Sequence, residues 1–446
     1  MSDALVMSRD EALGMCERVL AASGAEQTEV NLIAGRSGLT RFANNHIHQN
    51  VAQAGVNVIV RAALGSRVGV ASTSDTSEAG LADVAARAAL LASLSTPDDH
   101  FPGLPEPAEE PPALTGSPGT AAFGPAERAE AVRSCIEIAR GQGQVASGAC
   151  SASASAHAVA NSHGVRAWQE ITRATLRMVF TGEDSSGFAE ATSADAATID
   201  AAALAHTAAE KCARSAAPTA VEPGRWDVIL ESAAVANVLM FLAVSAFNGL
   251  ACAEGRSPLC GHMGERVCGE NISLHDDGLD PLGLPRAFDS EGVPRRRVEL
   301  LVDGVAANVV HDSRTAAMSG ARSTGHASGP GSSSGPVPGN LFMRTGAASV
   351  GDMIAATDRG LLVTRFHYAN LVDPARAIFT AMTRDGTFLI EDGEIVGGVR
   401  NLRVTENMLE ALGRVAMIGR DAVLAQGVFA PPLLVRDFRF SGATEF

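Results

Sequence analysis

Between Ala233 and Phe247 the only polar side chains are Asn237 and Ser245. A helix over this run has no wet face, so other material must surround it. The run is shorter than the roughly 20 residues that a bilayer span requires, and it contains two polar residues. It therefore reads as a buried helix of a globular protein. Just upstream, Val228–Leu230 has the short apolar pattern of a buried strand. Ser232 stands where a hydroxyl can accept a bond from the first helical turn, and Gly249 and Gly255 offer stops. A strand leading into an enclosed helix needs a large core around it, and 446 residues are enough for two or three domains.

The flanks fill in that expectation. Ser8-Arg9-Asp10-Glu11 is a capping-box pattern, and Leu13, Cys16, Val19 and Leu20 form an apolar stripe that ends at Gly24. Val30–Ile33 reads as a strand. Gly38 and Asn44-Asn45 punctuate the next stretch into hairpin-like strands, and Glu78–Leu94 returns to helix. Pro97–Pro125, rich in Pro, Glu and Gly, reads as a surface linker rather than a packed element. Pro125 then opens a helix through Arg140. Strands follow over 144–160 and 165–180, with Thr172, Ala174, Leu176, Met178 and Phe180 on one face, and then a helix over 199–213. Beyond the central helix the composition becomes strand-like and glycine-rich. Asp303-Gly304 and Asp392-Gly393 mark hairpins of the kind that needs positive φ. Gly325–Gly339 is so poor in apolar side chains that it reads as a mobile loop.

Charge and cysteine content exclude several functions. A net charge of -15 argues against a nucleic-acid surface. Lys211 is the only lysine and follows Glu210, so there is no phosphate-binding Gly-Lys loop. No G-x-S-x-G elbow or dinucleotide fingerprint occurs, although triad members that meet only in space leave no such trace. Seven cysteines without tight pairing suggest reduced thiols in the cytoplasm. The first eleven residues lack the basic and apolar regions of a secretory leader. Cys252, Cys260, His262, Glu265 and Cys268 cluster in sequence, but their spacing is not a standard zinc pattern. They read as plain thiols and surface charges.

The central helix also carries a resemblance. In the catalytic branch of the TldD/PmbA (modulator of DNA gyrase) family, the matching helix bears H-E-x-x-x-H, then G-L-E-G-D and T-S-A-F. Met240–Leu259, M-F-L-A-V-S-A-F-N-G-L-A-C-A-E-G-R-S-P-L, is similar in register, with Ser257-Pro258-Leu259 in the S-A-F place. The family's histidines then fall on Met240 and Ser245, and its glutamate on Phe241. Thr40-Arg41-Phe42-Ala43-Asn44-Asn45-His46-Ile47-His48-Gln49 resembles the family's S-R-F-A-N-N-x-I-H-Q stretch. Asn340–Met343 with Gly346 resembles its N-x-x-x-x-G. The resemblance is strongest over 257–316. The C-terminal cysteine ligand of the catalytic branch has no counterpart, since Cys268 is the last cysteine.

The resemblance implies an α+β chain: α/β-type domains at 1–96 and 125–222 around a linker at 97–124, then a strand-rich, barrel-like domain with a buried helix at 223–446. It implies a TldE/PmbA-like subunit without catalytic or metal-binding residues of its own. Its partner would be a TldD-like, zinc-binding chain, or a second copy of itself, and the pair would form a chamber for unfolded or modified peptides. No nucleic acid or membrane is implied. The alternative is a hydrolase, alone or paired, acting on amide or peptide conjugates in natural-product biosynthesis. His311, Asp312 and Arg314, followed by Arg322, Ser323, Thr324 and His326, match the family's D-R-x-T/N-A…S/T-T-G motif, which lies near the substrate channel. Asp312, Arg314 and Arg322 either shape a site for a peptide carboxylate or make a salt-bridged turn. His275-Asp276-Asp277 reads as a structural turn.

Overall fold

The computed structural model describes residues 5–107 and 110–443. Residues 1–4, the start of the stretch read as lacking a leader, lie outside the described residues, as do 108–109 of the Pro-rich stretch and 444–446.

The first half of the chain contains one pattern twice. α1 (Arg9–Ala22) begins at Ser8, which forms the expected capping box with Glu11. β1 (Gln27–Ala43), β2 (His46–Leu64), β3 (Arg67–Thr73) and α2 (Glu78–Leu94) follow. After a short helix, α3 (Pro118–Ala122), the order repeats as α4 (Pro125–Gly141), β4 (Val145–Asn161), β5 (Arg166–Thr181), β6 (Ser186–Ser193) and α5 (Ala201–Arg214). All six strands join one sheet in the order β3-β2-β1-β4-β5-β6, with β1 and β4 antiparallel at its centre. The two halves are thus disposed as a two-fold axis between β1 and β4 would place them. Val30, Leu32, Val58 and Val60 pack under α1 and α2. Phe42, Leu176, Met178 and Phe180 pack under α4 and α5.

Two local readings need correction. β1 runs unbroken through Gly38, and only Asn44 and Asn45, with φ of 52° and 60°, turn the chain. The described part of the Pro-rich stretch does run over the surface, but it is anchored at points rather than unpacked throughout. Leu104 is buried, and Ser117 and Thr120 of the α3 turn bond to Asp195 and to the Ala194 carbonyl. These anchors are polar, so hydrophobic patterning does not reveal them. β6 has few large apolar residues and owes its strand form to pairing with β5. β3 covers β2 only from Val58 to Leu64, so the outer edge of β2 from His46 to Asn57 has no strand partner among the described residues.

In the second half, β7 (Gly224–Leu230) leads into α6 (Ser232–Ser245) and α7 (Gly249–Ala253). β8 (Leu274–Asp276), β9 (Val298–Val302), β10 (Val305–Ala306), α8 (Ser313–Ser319), β11 (Leu341–Met343) and α9 (Val350–Ala355) come next. The chain ends with β12 (Arg359–Asp373), β13 (Ile378–Glu391), β14 (Glu394–Gly398), β15 (Leu402–Asn407), α10 (Met408–Gly413), β16 (Val415–Ile418), β17 (Val423–Ala425), β18 (Val428–Ala430) and β19 (Leu433–Ala443). β7, β12, β13, β15 and β19 pair in a closed circuit, which gives the expected barrel and leaves those strands no free edge within the ring. A second sheet runs β10-β9-β8-β11-β18-β17. Both Asp-Gly turns have the positive φ they were read to need, 48° and 80° at Asp303-Gly304 and 50° and 79° at Asp392-Gly393. The fold is α+β. No helix among the described residues is long and apolar enough to cross a membrane.

Candidate functional site

Val228 and Leu230 of β7 point into the barrel core, where they meet Val235, Leu239 and Leu242 of α6. The helix is less enclosed than its composition suggests. Met240 and Phe241 are only half-buried, and Val244 is 44% exposed. These positions recur at helical spacing, so α6 presents a narrow apolar stripe outward. Its N-cap is Glu231 rather than Ser232, and Glu231 makes no capping bond because its carboxylate pairs with Lys211. Asn237 donates from Nδ2 to Gln426 Oε1 at 2.8 Å, while its buried Oδ1 has no described partner.

α6 gives way to α7 at Asn248, whose Oδ1 accepts from the Leu250 and Ala251 amides at 2.9 and 3.2 Å. Its Nδ2 donates to the Ser334 carbonyl at 2.7 Å. A Cβ on Gly249 would lie 2.6 Å from His311 Nδ1, so the glycine lets the 310–311 backbone lie against the helix corner. A Cβ on Gly335 would likewise lie 2.6 Å from Leu250 Cβ. The stretch 325–339, read as an unpacked loop, therefore packs back on this corner through close backbone approach and the buried Pro336 and Pro338. Small residues do here what apolar side chains do elsewhere.

The motif residues gather at the same corner, but mostly as structure. His311 Nδ1 faces Thr315 Oγ1 at 3.3 Å, and burial lowers its pKa, favouring the neutral ring. Asp312 caps α8, accepting from the Thr315 amide and hydroxyl, each at 2.7 Å. Arg314 pairs with Asp98 at 2.7 Å, and this bond holds the Asp98 carboxyl below its ordinary range. The salt-bridged turn is thus the better description of Asp312 and Arg314. Arg322 is exposed and has no described ion-pair partner. Ser323 and Thr324 donate to the His311 carbonyl at 3.3 and 3.0 Å.

His326 meets Asp276 at 2.8 Å through Nε2 and Thr324 Oγ1 at 2.9 Å through Nδ1. These are the distances of a hydrolytic triad, but the His326 and Asp276 side chains are fully shielded. The Thr324 hydroxyl donates to the His311 carbonyl, so its proton is not directed at the imidazole as a triad nucleophile's is. Asp276, read in the sequence as part of a turn, is instead a buried junction. Its other oxygen accepts from the Gly339 and Asn340 amides, both at 2.7 Å. Burial raises its pKa, and the bond and charge of His326, the charge of Arg295 and the amides more than offset this, giving a net lowering.

A polar seam ties this corner to the first sheet. Glu291 accepts from the Ser313 amide at 3.0 Å and from Arg61 at 3.2 Å, and Arg61 also bonds Glu29 at 2.7 Å. Beside it, His157 contacts Asn31 at 3.1 Å, and Gln169 accepts from the Ala287 amide at 2.7 Å. Two buried carboxylates face one guanidinium. Burial, partly offset by Arg61 and reinforced by Glu291, pushes Glu29 from 4.5 up to about 7. A pKa raised in the folded state contributes stability that is present below pH 4.5 and lost as pH rises through 7, about 3 kcal/mol in all. His157, held down to about 3 by burial and Arg286, acts oppositely, losing stability as pH falls below 6.5. Comparison with the neutral variant isolates Glu29. Glu29→Gln should gain on the wild type in thermal melts between pH 5 and pH 8, and a pH-independent difference would refute the assignment.

The positions that the resemblance gives to a zinc site do not fit the ion. Met240 offers a thioether and Phe241 offers no donor. The Ser245 hydroxyl is committed to the Phe241 carbonyl at 2.7 Å. Among the described residues no group of three His, Cys, Asp or Glu side chains is placed to hold a metal. Cys252 and Cys260 bond backbone carbonyls, and His262 pairs with Glu265 at 2.8 Å on the surface.

Sequence comparison finds three consecutive family models along the chain. They are PmbA/TldA metallopeptidase domain 1 over 28–92, its central domain over 120–219 and its C-terminal domain over 223–442. A metalloprotease TldD homolog of Buchnera aphidicola is 26% identical over 178 residues, 39% of this chain and 36% of that protein. A metalloprotease of Methanothermobacter thermautotrophicus is 26% identical over 223 residues, 49% of this chain and 48% of that one. The matched stretch thus spans less than half the length of these relatives. Two solved structures share the fold across their length. TldE of Thermococcus kodakarensis has a TM-score of 0.87 at 23% identity, covering 96% of this chain and 99% of that one. A modulator of DNA gyrase from Thermotoga maritima has a TM-score of 0.85 at 19% identity, covering 96% and 100%.

Proposed function

The chain belongs to the PmbA/TldA metallopeptidase family, and on that premise we propose that it acts as a metal-free, TldE-like subunit. It assembles with a zinc-bearing, TldD-like chain, and the pair cleaves unfolded or modified peptides in the cytoplasm. The observation that carries this reading is the donor set of α6. Met240, Phe241 and Ser245 stand where an active chain needs two imidazoles and a proton-accepting carboxylate, within a register that is otherwise kept. The stripe of Met240, Phe241 and Val244 remains partly open, so this helix supplies an apolar wall to the shared chamber. The uncovered edge of β2 supports a second role. From His46 to Asn57 it carries no charged residue, and an exposed edge of that kind pairs readily with an extended chain.

Co-expression with a chain bearing H-E-x-x-x-H tests the proposal. The two chains should co-purify, and the pair should hydrolyse an unfolded peptide at least roughly tenfold faster than either chain alone. Val244→Arg should preserve assembly and folding while slowing peptide turnover, because it charges the wall without touching the barrel core. Separate elution, or an unchanged rate on mixing, would end the proposal.

A further inference from the structure

A second site lies on the first sheet, remote in sequence from α6. β1, β2 and β4 contribute Gly38, Ala52, Ala54, Ala152 and Ala154 to one face, and these small side chains leave a cavity of about 310 Å³ beneath α3 and the start of α4. Arg128, from the first turn of α4, lines it and is only 3% exposed. Its partners are neutral: Thr40 Oγ1 at 3.2 Å, the Phe123 carbonyl at 2.9 Å and Asn50 Oδ1 at 3.3 Å. Nε donates once, while Nη1 and Nη2 each keep a second N–H. Glu127, the neighbouring acid, turns its carboxylate to the Gly124 amide at 3.0 Å. Arg36 stands at the rim and donates to the Ala121 carbonyl at 3.1 Å.

Gly38 shows that the guanidinium is placed by construction. Its φ is not positive, so the backbone does not need glycine there. A Cβ at that position would lie 2.4–2.6 Å from Nη1, Cζ and Nη2 of Arg128, so glycine makes room for the cation to lie flat on the strand. A buried charge held only by neutral acceptors is costly unless a counter-charge completes it. Phe123 also lines an adjoining apolar cavity of about 100 Å³, together with Cys150, Leu176 and Ile199.

We propose that this cavity binds the carboxylate of a small ligand with a short apolar body, the head on Arg128 and the body over the alanine floor toward Phe123. The planar fork of arginine suits a carboxylate, and no acidic side chain lines the cavity to repel it. This proposal does not rest on α6 or on a partner chain, although Ala52 and Ala54 of its floor belong to the β2 stretch whose edge is invoked above. Isothermal titration with hexanoate tests it in the full chain. Hexanoate should bind saturably, and hexanamide, which lacks the charge, at least roughly tenfold more weakly. Arg128→Gln should lose binding to the same extent. Ala54→Leu, at an exposed position, should fill the cavity and lose binding while its circular dichroism and melting temperature stay at wild-type values. Equal binding of hexanamide, undiminished binding by Ala54→Leu, tighter binding of inorganic phosphate than of hexanoate, or no saturable binding would each overturn the proposal.

Discussion

Asp276→Leu is expected to destabilise the C-terminal half by about 3–5 kcal/mol, the cost typical of removing one partner from a buried charged network. The carboxylate is fully buried and serves three donors: His326 Nε2, the Gly339 amide and the Asn340 amide. Leucine fills similar space but leaves all three unsatisfied, and each buried orphan costs about 1–3 kcal/mol. It also removes the negative charge 3.8 Å from Arg295, whose Nε and Nη1 have no other described partner. Asp276→Asn should cost much less, about 1–2 kcal/mol. Its oxygen still accepts from the two amides, and His326 can turn its acceptor nitrogen toward the new amide while Nδ1 donates to the Thr324 carbonyl, 2.9 Å away. Urea denaturation of both variants measures the difference. A leucine variant within 1 kcal/mol of wild type would show that the junction is not structural.

Asp276 sits in His-Asp-Asp between short apolar runs, which reads as a turn, and its partners lie 50 to 64 residues away. The same holds for Arg314, whose acid is 216 residues distant at Asp98, and for Arg128, whose Thr40 partner is 88 residues distant. Elements specified by near neighbours were legible. The capping box at Ser8, the helix over Glu78–Leu94 and the proline that opens α4 all stand where local signals put them. Elements specified by distant pairing were not. β6 is a strand because β5 lies beside it, and barrel closure depends on β12 reaching β13 and β7 together.

The α6 helix lies between these cases. Its composition correctly placed it in the C-terminal core, but composition treats Met240, Phe241 and Val244 like any other apolar residues. That they face outward depends on which side β12 and β18 leave uncovered. The resemblance is what gives the uncovered side meaning. Where an active relative needs donors, this chain exposes Met240 and Phe241, a pair without an imidazole or carboxylate, and that is the observation the proposed role rests on.

Gly69→Ala and Gly187→Ala should each cost about 3 kcal/mol or more, because in both places a helix backbone occupies the space of the missing Cβ. A Cβ on Gly69 of β3 would lie 2.1 Å from Ala92 N and 2.4 Å from the Ala88 oxygen of α2. A Cβ on Gly187 of β6 would lie 2.1 Å from the Ala208 oxygen and 2.4 Å from Cys212 N of α5. Backbone atoms inside a helix cannot rotate aside as a flexible side chain can, so helix and strand must separate. Neither glycine has positive φ, which makes space rather than conformation the constraint. Gly55→Ala in β2 is the control, since nothing lies within 4 Å of its Cβ position, and its effect should stay within about 0.5 kcal/mol. The two costly variants should differ in one respect. α5 also carries Lys211, which holds Glu231 at the head of α6. Displacing α5 should therefore raise amide exchange in the first turn of α6, while displacing α2 should leave that turn protected. Equal exchange in the two variants would mean that the first sheet does not help to position the helix facing the proposed chamber.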